Sequence, residues 1–461
     1  MKRLNNSFIN LNEQMNITDE LEKLVIRLQR ENLPSEVVNA IKYDVIDFLG
    51  VSFAGAKSLN NKLTCFLELS NNCGSSKSIG LGRFTNVEQA ALINGLSSHY
   101  LEMDDGNRFG MVHPGSVVLS SLFAVAKSKK IASKDFIQGV FVGYEIAIRL
   151  ASAIQPGHKK RGFHATGTCG VIAASMAVAT ALSIDTKYIK NIISVATASA
   201  CGLLEMIDDC SELKPFNIGI AAKNGINAVY LGASGFAGPN DCIGGKRGLL
   251  GVMAESFDLS WLDFDKHSKY TILTAYKKPY ASCRHCHSPI EAILNINKKY
   301  NFKLSSIVSV KVETYDMAIY GHDKKDIKNP TAAKMSIPYS VASALVFNNG
   351  GISSYNEESI TNINISSLLG KITIVENPVF SKLVPEKRIA RVSILLKDGT
   401  NLEETIEYPR GEPENPLTKK EIEEKYFQMM EYAQIDKTSS NQILNCVIDL
   451  ENRLDDLICL L

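Results

Sequence analysis

The chain has 461 residues, enough to bury a large core and, as a prior, to form two or three domains. With 45% hydrophobic and 21% charged residues, its composition lies well away from the disordered and collagen-like extremes. Fifty basic against forty-nine acidic residues leave a net charge of +1, so no overall field draws the chain to nucleic acid or to an anionic membrane, and any anion site must be local.

The start, MKRLNNSFINLNEQMN, has a basic tip but no apolar run behind it to serve as a signal peptide. With ten cysteines scattered along the chain, the expectation is a reduced, cytoplasmic protein whose thiols are mostly free. From about residue 17 to 255 the pattern is helical almost throughout, with no strand alternation of any length. TDELEKLVIRLQREN (18–32) opens on a threonine among acidic residues and runs apolar at helical spacing, which predicts a capping-box start. PSEVVNAIKYDVIDFLGVSFAGA repeats the pattern with a proline in its first turn, and further helices are predicted over 86–103, 114–130, 133–155, 165–183, 186–203 and 217–235. The most apolar stretches, 170–184 and 192–207, fall short of the roughly 20 residues a membrane span needs and read as buried helices, packed closely through Ala, Ser and Gly.

After about residue 265 the character changes. SIVSVKVETYD (306–316) alternates, ARVSILLKDGTNLEETIEY (390–408) is two strand-like runs about an Asp-Gly turn, and SIPYSVASALVFNNGG reads as a helix with a glycine stop. Helical periodicity returns in TKKEIEEKYFQMMEYA and NQILNCVIDLENRLDDLICLL. The fold class that follows is mainly α with an inserted α+β lid. A large all-helical domain is expected from both chain ends (1–265 and 410–461), a lid from 266–409, and a small-molecule cleft at the seam.

Five segments hold the chemistry-bearing groups, and most of the eight histidines lie in or beside them. In SSHYLEMDDGNRFGMVHPG, Glu102, Asp104 and Asp105 precede Arg108 and His113, so carboxylates and an imidazole can converge across one loop, the minimum for moving a proton near neutral pH. The bland alternative is that the aspartates end a helix and His113 donates to a backbone carbonyl before Pro114. KKRGFHATGTCG places His164, Thr166 and two glycines at a helix start, either an anion cradle or ordinary capping. In SELKPFNIG, Lys214 stands just before a buried helix. YKKPYASCRHCHSPIEA concentrates Lys278, Cys283, Arg284, His285, Cys286 and His287, and AAKMSIPYSVA carries Tyr339. The Cys and His residues of that dense segment are too close together to chelate one tetrahedral zinc at finger or ribbon spacing, and no second CxxC pair exists. No recognition module for nucleic acid accompanies them, so a small anion whose protons must be moved fits best.

Taken together, HYLEMDDGNRFGMVHPGSVVL, GFHATGTCGVIAASMAVA, LKPFNIGIAAKNGINAVYLGASGFAGP, KPYASCRHCHSPIEA, MSIPYSVASAL and YPRGEPENPLT resemble, in this order, the MmgE/PrpD family, which holds 2-methylcitrate dehydratase, cis-aconitate decarboxylase and iminodisuccinate epimerase. The resemblance runs from about residue 17 to 455. It implies a helical domain built from both chain ends with an α+β lid, a homodimer, no metal or organic cofactor, and a small di- or tricarboxylate substrate. It places the family's acidic group on Glu102 with Asp105 as a second carboxylate, its motif histidine on His113, its anion-facing histidine on His164, and its lysines on Lys214 and Lys278. The histidine after the lid lysine falls on His287 and the family tyrosine on Tyr339. Cys283 stands where the decarboxylase has a histidine, and Gly106 where it has a threonine. The expected enzyme is a lyase of dehydratase type, with epimerase and decarboxylase as alternatives and a non-catalytic carboxylate-binding protein as a different class. His113, with Glu102 or Asp105, would move the proton, and Tyr339 or His287 would act as second acid or orienting group. Lys214, Lys278 and His164 would hold carboxylates, together with Arg108, Thr166, Cys283, Arg284 and His285. Neither nucleic acid nor membrane is expected as a partner.

Overall fold

A computed structural model describes residues 15–70, 73–208 and 211–461; the N-terminal reading of residues 1–14 lies outside them. In chain order the larger elements are α1 (Ile17–Gln29), α2 (Ser35–Ser70), a short hairpin β1 (Ser76–Lys77) and β2 (Phe84–Thr85), α3 (Val87–Tyr100), α4 (Pro114–Ser128), α5 (Ser133–Ile154), α6 (Ala165–Ala181), α7 (Ile189–Ala198), α8 (Lys214–Ala233), α9 (His287–Lys299), β3 (Ile307–Thr314), α10 (Ile337–Phe347), β4 (Ile372–Glu376), β5 (Ala390–Leu396), β6 (Asn401–Ile406), α11 (Lys419–Tyr432), α12 (Lys437–Ile448) and α13 (Leu450–Leu460). The fold is mainly α with a smaller α+β part.

One core joins apolar residues between Ile17 and Ile272 to others from Ile422 to Leu461. At its centre α6 is buried along its whole length, as a helix apolar all round must be. Its many alanines and glycines let α4, α5 and α8 approach it. Helix α5 is long and apolar enough to cross a membrane by length and composition alone, but 94% of its most apolar stretch is covered by the rest of the fold. A second core is built from Ala281 to Ile406, and Val51, Ala54, Leu101, Met103 and Met429 reach into it from the helical side. There the sheet runs β4-β3-β5-β6. The parallel β3–β4 pair, Val310 opposite Ile372, needs a long crossover, whereas β5–β6 is a hairpin closed through Gly399 at φ +88°. Helix α9 packs against β5 and β6, and α10 against α9.

Four sequence expectations are corrected. Helix α1 is capped by Asn16, whose side chain accepts from Asp19 N, while Thr18 lies inside the helix and donates to Asp241 at 2.8 Å. The β1–β2 hairpin interrupts the helical half, and β4 was not foreseen, being five residues long with little alternation. Helix α10 stops on Asn348 in the left-handed region (φ 52°), before the glycines. Residues 192–207 are not one buried helix. α7 ends at Ala198, and the following chain turns at Gly202 so that its carbonyl accepts from His164 N at 3.0 Å, leaving Leu203 exposed. That turn fixes the start of α6.

Candidate active site

Three helices of the first core begin at one place. His113 is the N-cap of α4, His164 is the N-cap of α6, and Lys214 is the first residue of α8. Neither histidine uses its side chain to cap, so both rings are free for other work, at helix ends whose N–H groups favour negative charge. A cavity of about 90 Å³ lies there, closed from the other side by Lys278, Cys283, Arg284, His285, His322 and Arg388. Among the described residues its wall carries five basic side chains, Lys159, Lys214, Lys278, Arg284 and Arg388, against one carboxylate, Glu102. Such a wall favours an anion.

Glu102 follows the end of α3 in the left-handed region, φ 56°, a conformation that costs a non-glycine residue about 1–2 kcal/mol. The turn brings its carboxylate back against Lys214, which donates to it, and within 3.3 Å of Lys278 Nζ. Burial alone would raise Glu102, but Lys214, His99 and Lys278 outweigh it and hold the carboxyl well below its usual range. Asp104 is likewise buried and held low by His99, His113 and Lys278. It accepts from Ser116 at 2.8 Å and lies 2.7 Å from His99 Nδ1, 3.2 Å from His113 Nδ1 and 3.5 Å from Lys278 Nζ. His99 thus sits between two carboxylates. Its Nε2 is 3.3 Å from Glu102, too far out of line for a hydrogen bond. Burial opposes its charge, but Asp104 and Glu102 outweigh that and raise it.

The two cavity histidines differ. Burial brings His113 down to about 4, offset only in part by Asp104. Its Nδ1 faces two acceptors, the Asp105 carbonyl at 2.6 Å and the Asp104 carboxylate, so the neutral ring carries its proton on Nδ1 and presents a lone pair at Nε2. His164 is held well below its usual value by burial, with Lys214 and His99 adding. Its Nδ1 faces the Asn217 amide, 3.3 Å away. With that amide nitrogen as donor, the proton of His164 sits on Nε2. One imidazole presents a lone pair and the other an N–H donor, with ring centroids 6.5 Å apart.

Of the residues expected from sequence, Glu102, His113, Lys214, Lys278, His164, Cys283, Arg284 and His285 line this cavity, and five others do not. The Asp105 carboxylate accepts from Gly115 N at 3.1 Å; burial and the neighbouring Asp44 keep it protonated well above the usual range, so the carboxylate beside His113 is Asp104. Tyr339 lies in the second core and donates to the Ser354 carbonyl at 2.9 Å. Thr166 accepts from His113 N at 3.1 Å and so positions it. Arg108 pairs with Glu412 and Glu414. His287 packs its Nδ1 against Arg284 and its Nε2 against the Ser282 carbonyl. Glu412, from the YPRGEPENPLT segment, also holds Arg284 at 2.8 Å. That turn fits because Gly411, at φ +96°, meets the Lys277 carbonyl where a Cβ would be 1.8 Å away.

The sequence reading missed His99, Tyr276, His322 and Arg388. His99 carried a usable signal, one helical turn before Glu102, and Tyr276 opens the dense Cys/His segment, but His322 and Arg388 come from segments with no local pattern. Tyr276 packs over Gly106, where a Cβ would stand 2.4 Å from the phenol oxygen. Among the described residues two clusters have metal-ligand types within reach of one another, Cys283–His285–His322 and His99–Asp104–His113. In the second, the Lys278 ammonium already stands 3.5 Å from the Asp104 carboxylate. The nine cysteines among the described residues are all free thiols.

A helical body joined to a smaller α+β part, with a cationic cavity walled by an imidazole pair between them, is the architecture of a small-anion site served by acid–base groups. The MmgE/PrpD N-terminal domain model matches residues 19–262 and the MmgE/PrpD C-terminal domain model residues 280–450, so the chain belongs to the MmgE/PrpD family. It is 25% identical over 479 residues to a cis-aconitate decarboxylase of Aspergillus terreus, covering 96% of this chain and 95% of the relative. It is 23% identical over 464 residues to the cis-aconitate decarboxylase of Homo sapiens, covering 96% and 92%. It is 28% identical over 144 residues to the 2-methylcitrate dehydratase of Cupriavidus necator, covering 29% and 30%.

Proposed function

We propose that this chain is a cofactor-independent lyase that removes a proton from a carbon beside a carboxylate of a small di- or tricarboxylate, and that it is a dehydratase. The observation that carries the reading is the pair of neutral imidazoles in opposite tautomers, His113 and His164, at two helix N-termini in a cationic cavity. His113 Nε2 takes the proton, the C–H electron pair moves toward the carboxylate, and Lys214 with the helix N-termini stabilises the charge that develops. As the C=C bond forms, the C–O bond to the β-hydroxyl breaks, and that oxygen, which accepts a hydrogen bond from His164 Nε2, leaves as water with the proton His113 has taken. Asp104, 3.2 Å from His113 Nδ1, stabilises the imidazolium. A bound polyanion raises His113 above about 4 and makes it a stronger base at the moment it is needed.

Decarboxylation is the second reading, favoured by the near full-length match to decarboxylases. Against it, Gly106 and Cys283 stand where the resemblance puts a threonine and a histidine, and Tyr276 fills the space beside Gly106. A homodimer, tested by sedimentation, belongs to the same proposal. The deciding experiment incubates the protein with di- and tricarboxylates in deuterated water and follows exchange, water loss and carbon dioxide together. Loss of water with His113-dependent exchange supports the dehydratase. Carbon dioxide release replaces it with the decarboxylase, exchange alone points to an epimerase, and no exchange in any acid refutes proton abstraction.

A further inference from the structure

Three soft donors that proton transfer does not use converge on the α+β wall of the cavity. Cys283 precedes the short turn Arg284–Cys286, His285 lies on it, and His322 arrives from the loop after β3. Their donor atoms lie within 4.8 Å of one another, with Cys283 Sγ 3.9 Å from His322 Nε2 and the two rings 4.9 Å apart. Each ring is anchored through Nδ1. His322 donates to the Met335 carbonyl at 2.7 Å, which fixes its proton on Nδ1 and leaves a lone pair on Nε2. His285 Nδ1 is 2.7 Å from the Tyr315 hydroxyl, and its Nε2 has no hydrogen-bond partner among the described residues. Imidazoles oriented by a second hydrogen bond, with the other nitrogen left open, are the usual surroundings of metal-bound histidine. All three residues face the cavity. The local spacing of the Cys/His segment argues against a metal only while its own residues are counted, and the fold supplies the missing ligand from His322.

We propose that Cys283, His285 and His322 form a binding site for a zinc-type divalent cation, with three protein ligands and a fourth position open to the carboxylate cavity. On binding, the Cys283 thiol gives its proton to solvent, a metal–sulfur bond forms, and the ion sheds waters for the two Nε2 atoms. Arg388 and Arg284 on the same wall, and Lys214 across the cavity from it, repel the ion. A carboxylate in the cavity cancels that repulsion and offers an oxygen to the fourth position. Metal and carboxylate therefore bind with positive, reciprocal coupling.

Cobalt(II) is the probe, titrated into the reduced full-length protein with and without succinate, itself a weak chelator. One equivalent is expected to give a thiolate-to-cobalt charge-transfer band, with a Kd lowered about tenfold by succinate, in the ordinary range of site–site coupling. Cys283→Ser should lose the band and His322→Ala weaken binding, while Cys201→Ser, which removes an exposed thiol elsewhere, and His113→Ala keep it. A band that survives Cys283→Ser, no band at one equivalent, or loss of cobalt in His113→Ala overturns the site. An unchanged Kd in succinate overturns its opening to the cavity. Should the variants fail to fold, zinc must still shield Cys283 of the parent protein from iodoacetamide, read by peptide mass, and alkylation at an unchanged rate refutes the proposal.

Discussion

Asp104→Asn tests the acid–base reading most directly, because it keeps the side chain's shape and removes the charge that faces both His113 and His99. At 3.2 Å from His113 Nδ1 and an effective dielectric near 20, the attraction between an imidazolium and this carboxylate is about 5 kcal/mol. None of it acts while His113 is neutral, and all of it acts once the proton has moved, so the loss falls on the transition state. Part of it returns through the amide dipole and the lower cost of burying a neutral group. The expected fall in kcat is therefore about 10²–10⁴-fold, the range of a general base. The assay is solvent deuterium incorporation into the accepted acid, with the melting temperature measured in parallel because Asp104 also balances His99. A variant that melts like the parent and turns over within about threefold of it would refute the role given to Asp104, and with it the assignment of His113 as base.

Acid should destabilise the protein through its buried neutral histidines. His113 and His158 are both held near 4 by burial, against about 6.5 in the unfolded chain. Between those values the unfolded chain binds more protons, so their stabilisation is complete above about pH 6.5 and is lost as pH falls toward 4, about 3 kcal/mol for each. A His113→Gln variant should flatten the urea-midpoint profile over that interval, and an unchanged slope would count against a neutral His113. Glu412→Gln takes from Arg284 the carboxylate that holds it at 2.8 Å, while Arg108 keeps Glu414, and should cost about 3–5 kcal/mol, visible in thermal melts. Gly106→Thr drives a side chain into the Tyr276 hydroxyl. It should cost about 1–3 kcal/mol, mostly recovered when Tyr276→Ala is added; equal losses in the two backgrounds would show that the two sites do not share that space.

Periodicity gave the helical half, the hairpin of β5 and β6 and the return of helix at the C-terminal end, because each of those elements has one apolar face of fixed period. It failed where the environment, not the period, decides. The run 192–207 is mostly apolar, yet its helix ends at Ala198 and the chain turns at Gly202 to brace His164; β4 is too short to show a period and is defined by its partner β3. The residue types of the cavity were also legible. His113, His164 and Lys214 stand at helix starts that proline, glycine and capping patterns announce.

The amino-acid sequence by itself thus determined which segments are helix or strand, that any anion site is local, and which clusters carry imidazole, ammonium and carboxylate, since these follow from side-chain chemistry and spacing along the chain. Only the tertiary structure decided which groups meet. It chose Asp104 over Asp105 as the carboxylate at His113, took Tyr339 into a core, and brought His322 and Arg388 to the cavity wall. Those outcomes depend on burial and on distances across the fold, which set protonation and tautomer and are not written in any local pattern.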